Sequence, residues 1–418
     1  MMKCGLLGRK LGHSYSPQIH AMLGDYSYEL FEREPEEVED FLRNGDWDGI
    51  NVTVPYKKTV IPYLDELTPI AEKLGAVNTV VRRDGKLIGH NTDYYGFRML
   101  LDTLPMPIYL EKCLVLGSGG ASNTVCAVLK DLGARVVVIS RSGENNYTNL
   151  HLHRDAHLIV NTTPVGMYPD TGISPVPDVS DLNHFPCLRG VIDVIYNPAY
   201  TQLLLDAEKK YDDEDRWFNF RNGLLMLVAQ AKEAAEWFTG EKISDEVIGP
   251  ILNKLEARMQ NIVLIGMPGC GKSTVGRLLS GKTGRKFVDA DEEIVRLAGM
   301  SIPEIFAQDG EEAFREYETQ VLSELGKQSG LIIATGGGCV TRERNYPLIH
   351  QNGTIFWITR ELDSLPTEGR PLSQHNSLSE MYRVRQPLYE AWMDRMIDNN
   401  GTPEEAVGKI LLVLEVCT

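Results

Sequence analysis

Residues 261–274, NIVLIGMPGCGKST, run an apolar, β-branched stretch into Gly-x4-Gly-Lys-Ser, and helix-forming residues follow. In that setting Gly266, Gly269 and Gly271 allow backbone N–H groups to close around a phosphate, with Cys270 and Thr274 completing the loop. Lys272 adds a point charge, and the Ser273 hydroxyl can ligate Mg²⁺. The stretch predicts a P-loop α/β domain that takes ATP, running from about residue 259 to 418. It also leaves residues 1–258 without an explanation, so the chain must hold at least two functional parts.

Composition narrows the partners. At 418 residues, 43% of them hydrophobic, the chain can bury two or three separate cores. Its formal net charge of −16 speaks against nucleic acid or an acidic membrane as partner, because both need a basic field. Small anionic substrates must then be met by local cations. No run of 18 apolar residues and no signal-peptide pattern occurs, which leads us to expect a soluble cytoplasmic protein. The seven cysteines, at 4, 113, 126, 187, 270, 339 and 417, lack metal or redox spacing and read as reduced thiols. His151, His153 and His157 have no accompanying ligand pattern and read as surface or packed histidines.

Before the P-loop, residues 1–105 alternate strands and helices: CGLLG, a helix from Pro17, SYELFE, a helix near 35–42, GINVTVP and AVNTVV. This predicts an α/β lobe, to which helices at about 224–256 return. Residues 106–223 then read as a Rossmann-like domain. In CLVLGSGGASNTVCAVLKDLGARVVVISRS, Gly117 and Gly119 fill the first two glycine positions of a dinucleotide fingerprint, and Ser122 stands at the third. Ser118, Gly120 and Ala121 complete that turn. After the second strand, where an NAD enzyme places an acidic residue, this chain has Ser140-Arg141-Ser142, which suits a 2′-phosphate and hence NADPH. Only a short polar stretch, GENNYTNLHLHR, separates Arg141 from the next strand, so the domain is expected to be shortened.

Several ordered blocks carry a family resemblance: Gly12-His-Ser-Tyr-Ser-Pro17, Asn51-Val-Thr-Val-Pro-Tyr-Lys57, Gly75-Ala-Val-Asn-Thr79, Asn91-Thr-Asp93, Asn161-Thr-Thr-Pro-Val-Gly166, Ile195-Tyr-Asn-Pro198 and Gly223-Leu-Leu-Met226. Across nearly all of residues 1–258 the chain resembles shikimate dehydrogenases. Such residues suit reduction of a ketone on a small carboxylate, with Lys57 and Asp93 as the acid/base pair. The resemblance further implies that Lys57 and Asp93 flank the reacting oxygen and that Ser14 and Ser16 bind the substrate carboxylate. Thr53, Asn78 and Gln230 would hold ring hydroxyls or the carboxylate, with Tyr196 and Gly223 near substrate and nicotinamide.

Beyond the P-loop, Asp289 and Asp291 in KFVDADEEI are expected on one side of a strand end, where one suits Mg²⁺ and the other a substrate hydroxyl. Arg315 and Glu318 lie three apart on a predicted helix, with Glu318 open to being a surface partner of the arginine. LIIATGGGCV ends a buried strand in Gly336, Gly337 and Gly338, with no Walker-B aspartate. With EGRPL at 368–372 and RQPLYEA at 385–391, residues 259–418 resemble shikimate kinases. That resemblance implies Lys272 and Ser273 on ATP and Mg²⁺, Asp289 on the metal, and Asp291 as the group that receives the attacking hydroxyl's proton. It places Arg315, Gly337, Gly338 and Arg385 on shikimate, and brings Arg370 from a lid onto the transferring phosphate.

The fold class expected is therefore α/β throughout: a two-lobed dehydrogenase with a shortened Rossmann NADP domain, followed by a P-loop domain of nucleoside-monophosphate-kinase type. The expected function is reduction of 3-dehydroshikimate followed by phosphorylation of shikimate. A quinate-using dehydrogenase joined to another small-polyol kinase, and a ligand-sensing regulator built from inactive enzyme folds, are the alternatives. Oligomeric state stays open.

Overall fold

The computed structural model describes residues 1–12, 14–176, 182–213, 218–365 and 378–416, with the side chains at 183, 211–213, 415 and 416 left aside. By its contacts the chain forms two compact units. Unit 1 comprises Met1–Val165, Ile173–Tyr196 and Asp206–Leu252. Unit 2 comprises Gly166–Gly172, Asn197–Leu205 and Asn253–Thr418.

Unit 1 contains two sheets. The first has six strands, β1 (Lys3–Gly8), β2 (Ser27–Glu32), β3 (Gly49–Val52), β4 (Glu66–Leu67), β5 (Thr79–Arg83) and β6 (Lys86–His90), in the order β2-β1-β3-β5-β6-β4. β1 pairs in parallel with β2 and β3, whereas β5 runs antiparallel to β3 and to β6 across the tight turn at Asp84-Gly85. All four residues of β3 are buried, as a central strand covered on both faces requires. The helix Leu224–Thr239 packs on the helix Asp93–Asp102, on β3 and on β5. Small residues on its buried face, Ala231, Ala234 and Ala235, permit that close approach.

The second sheet is wholly parallel: β7 (Lys112–Leu116), β8 (Arg135–Ile139), β9 (Leu158–Asn161), β10 (Gly190–Asp193) and β11 (Asn219–Arg221), in the order β11-β10-β9-β7-β8. The full doubly wound order would add a strand outside β8. Here residues 140–157 supply only a single 3₁₀ turn, Leu150–His153, so β8 is a sheet edge and the expected shortening is present.

Unit 2 is built on a third parallel sheet of β12 (Asn261–Ile265), β13 (Phe287–Asp289), β14 (Ile332–Ala334), β15 (Gly353–Thr359) and β16 (Arg395–Asp398), in the order β13-β14-β12-β15-β16. β12 is buried at every position, which explains its unbroken apolar run. The carboxyl ends of β12 and β14 lie side by side where the strand order reverses, the place at which open α/β sheets bind ligands. One helix, Ile248–Met259, leads into β12, and the division between units falls within it. Within unit 2 the short stretch Asn197–Leu205 is fastened by Ala199 N–H to Asn352 Oδ1 at 2.9 Å and by Tyr200 N–H to the Gln351 carbonyl at 2.9 Å.

Candidate active sites

In unit 1 the strand β3 and the loop after it deliver Lys57, while β6 ends at His90 and the helix beginning at Asp93 delivers the carboxylate. Lys57 Nζ meets Asp93 Oδ2 at 2.7 Å, both partly open to solvent. Asn91 Oδ1 accepts from the Asp93 N–H, which fixes the start of that helix. Beside the pair runs a buried chain of amides and hydroxyls. Asn78 Oδ1 accepts from the Thr92 N–H at 2.7 Å and from Thr79 Oγ1 at 3.2 Å; its Nδ2 donates to Thr92 Oγ1 at 3.0 Å and reaches toward Gln230 Oε1 at 3.5 Å. The chain continues from Thr79 to Asn51 Nδ2 at 3.1 Å, and Asn51 Oδ1 accepts from Tyr28 at 2.7 Å. Asn51 and Thr92 thus join the site although sequence reasoning assigned them no role; the signal was their place inside the NVTVP and NTD blocks.

Ser14 and Ser16 open the helix Ser16–His20, where Ser14 Oγ accepts from the Ser16 N–H at 3.2 Å. Tyr15 meets Tyr196 edge-to-face at 6.1 Å, and burial raises the Tyr196 phenol above its ordinary value. Thr53 stands where β3 ends, its N–H on the Leu7 carbonyl.

The residues present fit a dinucleotide. Gly117 adopts φ +105° and comes within 2.9 Å, at its would-be Cβ, of Thr162 Oγ1. Gly119 caps the helix Gly120–Asp131, and nothing lies within 4 Å of where a Cβ of Gly119 or Gly120 would be. An open backbone at a helix N-terminus is what a pyrophosphate needs. Ser122, at the third fingerprint position, is buried, small enough for the helix to sit close to the sheet. Ser118 and Ala121 flank this turn, and Arg141 lies exposed just past the end of β8. Gly223 caps the returning helix and would collide with the Val194 carbonyl if it carried a side chain.

Unit 2 presents a cavity of about 790 Å³ lined by phosphate loop, acidic pair, triple glycine and arginines together. Gly269, Gly271, Lys272, Ser273 and Thr274 form one wall; Asp289, Asp291, Arg315, Gly336, Gly337, Gly338 and Arg385 form others. Gly266, Gly269 and Gly271 all have positive φ, as the motif requires. Lys272 Nζ donates to the Gly266 and Met267 carbonyls at 2.9 and 3.0 Å, tying the loop to itself. Cys270 is buried behind the loop, its carbonyl held by Asn399 Nδ2 at 2.7 Å.

The two carboxylates share the cavity by a route other than strand alternation. Asp289 closes β13 and caps the next helix by accepting from the Asp291 N–H at 3.1 Å, whereas Asp291 lies in the first turn of that helix. Asp289 ends the strand as the cap of the following helix, a position aspartate favours, so the two carboxylates do not share one strand. Ser273 Oγ donates to Asp289 Oδ2 at 2.6 Å. This pair of hard oxygens fits Mg²⁺, which takes few protein ligands and fills its shell with water and phosphate.

Arg315 Nη1 donates to Glu318 Oε2 at 2.8 Å, and Glu318 is fully buried, so its role as a surface partner is excluded. Burial raises the Glu318 carboxyl against the opposing pull of Arg315. Arg385 Nη1 donates to the Gly337 carbonyl at 3.1 Å. Arg360, to which sequence reasoning assigned no role, also lines the cavity. Arg370 and its flanking lid segment lie outside the described residues.

His157 Nδ1 pairs with Glu111 at 3.0 Å, His153 contacts Asn145, and no group of metal-ligating side chains occurs among the described residues. Nor, among those residues, is any helix long and apolar enough to cross a membrane.

Comparison with known proteins matches the two parts of the chain to two families. A family model for the shikimate dehydrogenase substrate binding domain matches residues 6–80, and one for shikimate kinase matches residues 268–415. The shikimate dehydrogenase (NADP(+)) of Clostridium perfringens (strain 13 / Type A) is 34% identical over 276 residues, covering 61% of this chain and 98% of that protein. The crystal structure of shikimate dehydrogenase 1 from Peptoclostridium difficile aligns with a TM-score of 0.55 at 33% identity, over 61% of this chain and 98% of its own. The shikimate 5-dehydrogenase of Thermus thermophilus, solved in complex with NADP(H) and shikimate, aligns with a TM-score of 0.52 at 30% identity, over 61% of this chain and 99% of its own.

Proposed function

We infer two consecutive activities from one premise: the chain belongs to the shikimate dehydrogenase family and carries a shikimate kinase domain as well. It is a bifunctional enzyme that reduces 3-dehydroshikimate to shikimate with NADPH and phosphorylates shikimate to shikimate 3-phosphate with ATP. One observation supports this above the others: each matched region has its reacting groups assembled, Lys57 with Asp93 in one and Lys272, Asp289, Asp291 and Arg315 in the other. A ligand-sensing regulator would not need to keep both sets, and that reading is not favoured.

In the first reaction the nicotinamide, when bound, would supply a hydride to the ketone. The Lys57 ammonium stands ready to give a proton to the forming alkoxide, while Asp93 holds that ammonium in place and takes part in its reprotonation. Ser14 and Ser16 hold the carboxylate; Thr53, Asn78 and Gln230 hold ring hydroxyls, and Tyr196 covers the substrate. Gly117 through Ala121 receive the pyrophosphate, and Arg141 selects the 2′-phosphate. In the second reaction ATP, as substrate, would supply the phosphoryl group, and Mg²⁺, when bound, would neutralise its charge. Ser273 and Asp289 are suited to the metal and Lys272 to the phosphates. Asp291 accepts the proton of the attacking hydroxyl, and Arg315 and Arg385 grip the carboxylate as guanidinium groups do. We assign the enzyme to the cytoplasm, with small molecules as its partners.

The test is one tube holding the chain, 3-dehydroshikimate, NADPH and MgATP. Shikimate 3-phosphate should appear with NADPH and ATP consumed in equal amounts. Shikimate accumulating with ATP untouched would overturn the kinase assignment, and NADPH left unoxidised the dehydrogenase assignment.

A further inference from the structure

Gly337 is the middle residue of the triple glycine, and two side chains of one helix, Leu378–Trp392, converge on its carbonyl. Arg385 donates from Nη1 at 3.1 Å, and Tyr389, one turn further along the same face, donates its phenolic proton. The two donors differ in setting. Arg385 lines the cavity. Tyr389 is fully buried, its ring stacked on Trp357 of β15 with centroids 5.8 Å apart, and its oxygen lies 4.0 Å from the Met267 sulfur in the phosphate loop. Packing therefore fixes the phenol inside the core, whereas the guanidinium, though buried as well, borders the cavity where a substrate would lie.

A carbonyl oxygen has two acceptor sites, and here both are in use. In a trans peptide the N–H points away from the C=O, so drawing the Gly337 carbonyl to the helix turns the Gly338 N–H the other way. Among the described residues no hydrogen bond takes up that N–H. Gly338 also lies so close to the Arg315 guanidinium that an added Cβ would collide with it. An oriented backbone donor beside two arginines is a receptor for a carboxylate.

We propose that Tyr389 is a positioning residue of the kinase: it anchors the Gly337 carbonyl so that the Gly338 N–H is presented to the shikimate carboxylate while Arg385 leaves the carbonyl to grip the same carboxylate. The inference rests on the kinase assignment above. Without the phenol, Arg385 is the carbonyl's remaining side-chain donor, and its move to substrate strands an acceptor.

Tyr389→Phe in the full chain keeps the ring and removes the donor. The KM for shikimate should rise about tenfold, with kcat within threefold and the KM for MgATP within twofold of the parent. An unchanged shikimate KM, or a loss confined to kcat, would overturn the proposal; an equal rise in the KM for MgATP would assign the tyrosine to the phosphate loop instead. Amide hydrogen exchange on the parent chain gives a second measurement that survives if the variant does not fold. Shikimate alone should slow exchange at Gly338, and unchanged exchange counts against the proposal. A parent chain that does not phosphorylate shikimate would mean that the kinase assignment itself has failed, and the proposal with it.

Discussion

Asp93 and Lys272 are the charged groups on which the chemistry proposed for each site depends. Asp93→Asn removes the charge that holds Lys57, so ketone reduction should fall by about 10² to 10⁴-fold while shikimate phosphorylation stays within twofold. Lys272→Ala should do the reverse. Loss of both activities from either change in a folded protein would contradict independent chemistry. His20 offers a pH test at the same scale. It is buried against Tyr28, with ring centroids 4.0 Å apart, and burial pushes it down to about 3. The native ring stays neutral while the unfolded one protonates near its ordinary value of 6.5, so the stability present above pH 6.5 is lost as pH falls toward 3. By pH 4 the loss amounts to about 3 kcal/mol at 1.36 kcal/mol per unit. Denaturant titrations between pH 7 and 4 should show this slope, and His20→Phe should flatten it.

Elements with a strict local logic were legible from the chain alone. SYELFE is β2, and the run NIVLI is β12, whose apolarity reflects a strand buried at every position. The phosphate loop was equally plain, since only glycine tolerates its backbone. The less legible parts depend on contacts distant in sequence. Glu318 lies in the core against Gly336, whose would-be Cβ comes within 2.6 Å of Glu318 Oε1, and a helical wheel does not contain that information. Asn51 joins Asn78 only because β3 and β5 pair with Asn51 opposite Thr79. The shortened cofactor sheet was readable, since the distance from Arg141 to β9 leaves no room for another unit. With that strand missing, our proposal makes Arg141 a principal handle on the 2′-phosphate. Arg141→Ala should raise the KM for NADPH at least tenfold and leave the KM for NADH nearly unchanged, measured with 3-dehydroshikimate saturating. Equal effects on both cofactors would remove the arginine from that role.

At the scale of the whole molecule, an acidic chain of net charge −16 binds anionic substrates by gathering its cations locally, as Lys272, Arg315, Arg360 and Arg385 do around one cavity. Fusion fixes the two activities at equal amounts, and proximity by itself does not transfer shikimate directly. Added free shikimate should therefore dilute labelled product as fully in this chain as in separated enzymes; a smaller dilution would point to direct transfer. The composition of unit 2 also matters for anyone who would treat the kinase as an exchangeable cassette. That unit is drawn from three stretches of chain, and two of them, Gly166–Gly172 and Asn197–Leu205, are encoded within the span of unit 1. A gene cut at residue 253 discards the backbone donors of Ala199 and Tyr200 on Asn352 and Gln351. Residues 253–418 expressed alone should melt several degrees lower than the kinase within the full chain. Recombination that swapped only the contiguous segment would inherit the same loss.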